Sequence, residues 1–405
     1  MSTWPDHLAA RFGKEQPRKI LALDGGGIRG VLTLEILAEM ERQIASATGI
    51  ARLGDYFDYI GGTSTGSIIA AGLAVGMSAA ELLKFYDDFG AQMFEKTGIF
   101  QRLTTLASNL YKDEPIAAKL RELYRADPAD ATQPEADLAS RRLKCLLLVV
   151  TRNMTTDSPW PISTNPFAKY NDASRDDCNL RIPLWQLVRA STAAPVFFPP
   201  EVVRLNPKKP QDVRVFVDGG ITPYNNPAFL LYRMATQPAY RLNWKTGEEN
   251  LLVISVGTGA AVGTTQATSR NVIGNLQNLP GELMYGIQVE QDINCRTIGR
   301  CIHGAEIDRE IGDLVVADDG KDHGRFFRYA RYNADISQPG LEKLDAALDK
   351  DPAFAGIPRV GKIPSAAVRE MDAVDQIGNL RKIGMAVAKT ELDVKKHFGS
   401  FVTAK

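Results

Sequence analysis

Apolar residues come in short blocks along this chain, and the first blocks end in glycine. Residues 19–23 (K-I-L-A-L) run into D-G-G-G-I-R-G, and residues 57–60 (F-D-Y-I) run into G-G-T-S-T-G. Short apolar runs stopped by glycine predict buried strands. Between them, residues 31–47 carry Leu34, Leu37 and Ile44 on one stripe, with Glu39, Glu41 and Arg42 elsewhere, which predicts an amphipathic helix. Residues 67–75 are small and apolar and predict a buried helix. Strand, glycine loop, helix, strand, glycine turn, helix argues for a parallel sheet with helices on its faces. Further on, 78–93 and 115–124 predict helices, and 126–139 a polar loop containing proline. Strands are expected at 143–150, 213–217 and 251–256, ending in T-R-N, D-G-G and G-T-G. Ligand sites of such sheets lie beyond the carboxyl ends of the strands. Residues after 340, notably 364–398, show a helical pattern without further strand signals.

Charge changes the picture mainly by exclusion. Lys plus Arg and Asp plus Glu number 48 each in 405 residues, so the net charge is zero. No electrostatic pull toward nucleic acid or an anionic membrane follows. The four cysteines form no C-x-x-C pair and read as reduced thiols of a cytoplasmic protein. No basic and then apolar leader opens the sequence, and the longest apolar stretch, 68–77, falls short of the ~20 residues of a spanning helix. The expectation is a soluble protein, peripheral to any membrane it meets. No acidic cluster has the spacing of a calcium loop, and neither a metal nor a cofactor is expected.

The candidate chemistry lies in the glycine loops. Gly25, Gly27 and Gly30 fit G-x-G-x-x-G, a phosphate-binding fingerprint, but a loop of free amides can equally hold an oxyanion. Gly62-Thr63-Ser64-Thr65-Gly66 fits G-x-S-x-G, a sharp strand-to-helix turn that lifts a serine out of the backbone. The competing reading of Ser64 is an ordinary helix N-cap. A nucleophilic serine needs a base, and none of His7, His303, His323 and His397 sits in a stretch that looks like a site. A carboxylate can take the proton directly if held within hydrogen-bond reach. Asp218 qualifies: it follows the strand at 213–217 and precedes Gly219-Gly220. Against the dinucleotide reading, no acid ends the second strand, and Asp24 stands where its charge would oppose a pyrophosphate. Gly25, Gly26 and Gly27 therefore read as an oxyanion hole, with Arg29 beside it.

D-G-G-G-I-R-G, G-T-S-T-G and D-G-G, in this order, resemble the patatin-like phospholipase family. The resemblance spans residues 19–220 and takes in A-S-T-A-A-P-V-F-F-P-P at 190–200. It implies a three-layer α/β/α sandwich around a mainly parallel sheet, and a Ser-Asp dyad that cleaves acyl esters of lipids without metal or cofactor. By position Ser64 would be the nucleophile, Gly62 and Gly66 the glycines of its elbow, and Asp218 the base. Gly25, Gly26, Gly27 and Arg29 would form the oxyanion loop. The division expected is a polar arm at 1–17, a catalytic domain at 18–340 and a helical segment at 341–405 packed on the same domain. A lipid ester substrate and transient membrane contact through apolar loops follow, with no nucleic-acid partner. Some bacterial members of the family act as nucleotide-triggered effectors, which puts a regulatory small molecule among the partners to seek. Two rivals stand: a Ser-Asp-His hydrolase using His303 or His323, and a nucleotide-binding module without catalysis. Trp160, Pro161, Pro166 and Phe167 are weighed as an acyl-pocket lining or a packed surface loop, and Gly257–Gly259 as a cleft border or a plain turn.

Overall fold

The computed structural model describes residues 4–93, 114–125, 135–195, 197–206, 208–209, 211–261, 272–316, 321 and 323–402. Residues 126–134 of the polar loop expected at 126–139 lie outside them.

The strands are β1 (Arg18–Leu23), β2 (Tyr59–Thr63), β3 (Leu146–Asn153), β4 (Ser158–Ser163), β5 (Glu201–Arg204), β6 (Val213–Asp218), β7 (Leu251–Val256), β8 (Arg300–His303) and β9 (Arg328–Tyr332). They join in one sheet whose centre, β3-β2-β1-β7-β9-β8, is parallel throughout. β4, β5 and β6 add antiparallel pairings at the β3 end. The helices are α1 (Asp6–Phe12), α2 (Gly30–Thr48), α3 (Leu53–Tyr56), α4 (Thr65–Ala74), α5 (Ala79–Met93), α6 (Glu114–Leu123), α7 (Leu184–Ser191), α8 (Ala228–Thr236), α9 (Val272–Ile298), α10 (Gln338–Leu348), α11 (Ser365–Arg369), α12 (Ile377–Glu391) and α13 (Val394–Phe398).

The period of two along each strand divides the core between the faces of the sheet. Leu21 and Leu23 of β1 and Leu252, Ile254 and Val256 of β7 pack into one cluster with α2, α4, α7 and α12. Ile20, Ala22, Leu251 and Val253 pack into another with α1, α8 and Cys295 of α9. Helices thus cover both faces, and the molecule is a three-layer α/β/α sandwich.

One expectation about the chain ends is corrected. The polar arm at 1–17 contains α1, whose Leu8 and Phe12 are buried. Trp4 stacks on Phe12 at 4.7 Å, and the Arg11 guanidinium donates to the carbonyls of Gly54, Phe57 and Lys144. Beyond 340 the described residues are helical, as the pattern predicts, with no further strand, and α12 lies along α2 with Leu380, Ile383 and Val387 buried. Four strands, β4, β5, β8 and β9, carry no clear strand signal in the sequence. β4 carries Pro159 and Pro161, which sheets tolerate at an edge such as this one. β5, β8 and β9 are rich in Arg and too short or too polar to stand out.

Candidate active site

Strand register brings the two candidate residues together. β4 lines one side of β3, leaving the other side to β2 and β6. β2 runs along it up to Thr63 opposite Val150, and β6 arrives from the opposite direction with Asp218 opposite Thr151. Two strands thus meet head to head along one edge. Ser64 follows the last residue of one, and Asp218 is the last residue of the other.

The elbow is tight. A Cβ at Gly62 would lie 2.0 Å from the Gly66 carbonyl oxygen, and one at Gly66 would lie 2.3 Å from that of Leu23, so neither position accepts a side chain. Ser64 itself has φ 54°, which few residues other than glycine adopt. Its amide donates to Ser191 Oγ at 2.9 Å, and Ser191 Oγ donates to the Val150 carbonyl at 2.7 Å. Ser64 stands at the N-terminus of α4, yet its side chain makes no capping bond there. The hydroxyl instead donates to Asp218 Oδ2 at 2.7 Å, which removes the N-cap reading.

Asp218 is 4% exposed. Its Oδ1 accepts from the Gly220 amide at 2.7 Å, and its own amide donates to the Ala193 carbonyl at 2.9 Å. Burial raises its carboxyl to about 6, against the Ser64 and Gly220 hydrogen bonds and the attraction of Arg189, which act to lower it.

The glycine loop faces this pair. Gly25 donates its amide to the Asn225 carbonyl at 3.1 Å, so that donor is committed to the scaffold. No hydrogen bond among the described residues uses the amides of Gly26 or Gly27, and both residues line a cavity with Ser64 and Asp218. The loop is braced from behind. Thr258 Oγ1 donates to the Gly25 carbonyl at 3.0 Å, and a Cβ at Gly26 would lie 2.1 Å from Thr258 Oγ1. The Gly257–Gly259 turn therefore supports the loop and does not border the cleft. Arg29 does not line the cavity; its guanidinium donates to the carbonyls of Gly26 at 3.4 Å and Gly259 at 3.3 Å. It holds the loop's shape rather than facing a substrate. Burial lowers Arg29 to about 10, against the charges of Glu370 and Asp24, which raise it. Asp24, expected to repel an anion, turns away: Arg331 donates to both its oxygens, at 2.6 and 3.3 Å.

The cavity measures about 280 Å³, and its lining is overwhelmingly apolar. Ile68, Tyr86, Ile116, Phe197 and Phe198 supply its walls, and Ile221 stands on its rim at 40% exposure. Trp160, Pro161, Pro166 and Phe167 do not line it; Trp160 packs on Phe216, and Phe167 on Trp4. The histidines are elsewhere. His303 and His397 stack on each other at 4.6 Å on the far side of β9, and His323 contacts Glu248. No group of three or more His, Cys, Asp or Glu among the described residues could hold a metal ion.

Several residues of the site escaped the sequence. Ser191 pins the elbow, and Asn225, 0% exposed, holds Gly25 through its carbonyl. Arg189, 1% exposed in the last turn of α7, donates to the Pro199 carbonyl at 3.2 Å and lies 5.3 Å over the Phe198 ring. The usable signals were R-A-S-T-A-A-P, a buried-looking helix ending in an arginine, and the paired asparagines soon after D-G-G.

A three-layer α/β/α fold with a serine on a strained elbow, hydrogen-bonded to a buried carboxylate beside free amides, defines a class of proteins equipped for acyl chemistry. The family model for patatin-like phospholipases matches residues 21–232 of the 405, and the chain belongs to that family. It is 35% identical over 222 residues to a cGAMP-activated phospholipase of Vibrio cholerae serotype O1, covering 52% of this chain and 56% of the relative. A cGAMP-activated phospholipase of Escherichia coli is 32% identical over 223 residues, covering 53% and 55%. Patatin-17 of Solanum cardiophyllum is 28% identical over 255 residues, covering 59% and 60%. The matches span little more than half the length of these relatives.

Proposed function

We propose that this protein is a serine acyl hydrolase that cleaves acyl esters of lipids through a Ser64–Asp218 dyad. The observation that carries the reading is the 2.7 Å hydrogen bond from Ser64 to a buried Asp218, in an apolar cavity flanked by two unused amides. Ser64 Oγ attacks the ester carbonyl carbon while its proton passes to Asp218 Oδ2. The carbonyl oxygen takes up the negative charge and accepts from the Gly26 and Gly27 amides, donors already in place before charge develops. The tetrahedral intermediate collapses, and the leaving alcohol takes the proton from Asp218. Water then attacks the acyl-serine with Asp218 again as base, which releases the acid and restores the serine.

The apolar lining supports a lipid acyl chain as the bound part. No helix among the described residues is long and apolar enough to cross a membrane. Contact with a lipid surface is assigned to Ile221, which is exposed and apolar where it lines the cavity. Two relatives are named for activation by cGAMP, and we extend to this chain a regulatory ligand of that chemistry. Hydrolysis of p-nitrophenyl esters, lysophospholipids and phospholipids tests the reading, each with and without cGAMP. Ser64→Ala should lose activity by several orders of magnitude while remaining folded. A folded variant that keeps more than a few per cent of the rate would contradict it.

A further inference from the structure

We propose that Met371 is a specificity-determining residue that sets the bulk of acyl chain the catalytic cavity admits; this rests on the acyl-hydrolase reading above. The family match ends at residue 232, but the cavity is also lined by Met371 and Asp372 from the turn between α11 and α12. That turn sits directly on the glycine loop. The Ile28 amide donates to the Met371 carbonyl at 2.8 Å. A Cβ at Gly27 would lie 2.2 Å from that carbonyl oxygen and 2.9 Å from Met371 Cβ, so no gap separates the two segments.

The anchor is a main-chain carbonyl, which survives any change of side chain at 371. The scaffold fixes the turn independently: α12 is buried against α2, and the charge of Glu370 attracts Arg29. Substitution at 371 therefore alters cavity volume more than backbone position. With its carbonyl oxygen on the Gly26 and Gly27 amides, an ester would lay its acyl chain in the cavity that Ile68, Tyr86, Phe198 and Met371 line together. Methionine is unbranched and fills irregular space, which suits such a wall.

The test compares wild type with Met371→Ala, Met371→Phe and Met371→Leu on p-nitrophenyl esters from acetate to laurate. The readout is the ratio of kcat/KM for decanoate to that for butyrate. Both values come from one preparation, so the ratio does not depend on the fraction of protein that is active. Each methylene newly accommodated is worth about fourfold. Met371→Ala should raise the ratio by about tenfold or more, Met371→Phe should lower it similarly, and Met371→Leu should stay within about threefold of wild type. Where a variant turns over too slowly, relative labelling rates with short-chain and long-chain alkyl fluorophosphonates report the same preference. Ratios within about twofold of wild type for both Ala and Phe would overturn the proposal while leaving the hydrolase reading intact. Equal hydrolysis by wild type and Ser64→Ala would overturn that reading and the proposal with it.

Discussion

Asp218 has little water around it, and burial raises its carboxyl to about 6. As the proposed base it must be ionised, so kcat/KM should fall about tenfold per pH unit below ~6 and level off above it. Arg189 pulls the same carboxyl downward. Arg189→Met should move the acid limb to higher pH, and Arg189→Lys should move it less. An unmoved limb in the Met variant would detach Arg189 from the base. Stability runs the other way. The folded value lies above the unfolded one of 3.8, so the folded chain holds the proton more tightly, and stability falls as pH rises from there through ~6. Asp218→Asn should therefore be inactive yet more stable than wild type at pH 7.5, by on the order of 1–3 kcal/mol in urea unfolding. The gain should fade toward pH 4, and a less stable variant at pH 7.5 would contradict it.

At the scale of elements, the loop at Gly25–Gly27 is shaped from behind rather than by its own sequence. A methyl at Gly26 would meet Thr258 before any substrate. Gly26→Ala should thus push the amide cradle out of line. The expected loss is about 10²-fold or more in kcat, with KM changed far less. Normal kcat with a raised KM would make the loop a substrate-binding element only.

The same contrast explains what the sequence made legible. β1, α2 and α4 announce themselves because apolar period and glycine stops coincide there. β2 was expected to end at Ile60 but continues through Gly61 and Gly62. Those glycines look like a turn, yet Gly61 pairs with Ala22 and Leu148 in the sheet, where a Cβ would lie 3.0 Å from Leu148 and Leu231. Ser64 and Asp218 could be picked out by motif, but their meeting depends on β2 and β6 sharing an edge of β3, which no local pattern encodes. Thr258, Asn225 and Ser191 act through long-range contacts and leave only faint local signals.

At the scale of the whole molecule, His397 bears on stability rather than on the site. His397 is buried against the Tyr332 hydroxyl at 2.8 Å and stacked on His303. Burial and the neighbouring His303 hold it down to about 3. An unfolded histidine titrates near 6.5, so below that pH the unfolded chain takes a proton the folded chain refuses. Stability should decline by up to about 1.4 kcal/mol per pH unit from this group as pH falls from 6.5 toward 3. Urea unfolding of His397→Gln at pH 7.5 and pH 5 should show a smaller loss on acidification than wild type, by about 1–2 kcal/mol. An equal loss in both proteins would mean that another group sets the acid limit.

The dyad is tested most directly by covalent capture. A fluorophosphonate reacts with a serine only where a base activates it and an oxyanion site receives the phosphoryl oxygen. Incubation of the whole chain with such a probe, followed by peptide mass spectrometry, should place one adduct on Ser64. The adduct should form in wild type and in a His303→Ala/His323→Ala double variant, and be slowed by several orders of magnitude in Asp218→Asn. Labelling that survives in Asp218→Asn, or that disappears when the histidines are removed from a folded protein, would contradict the Ser64–Asp218 account.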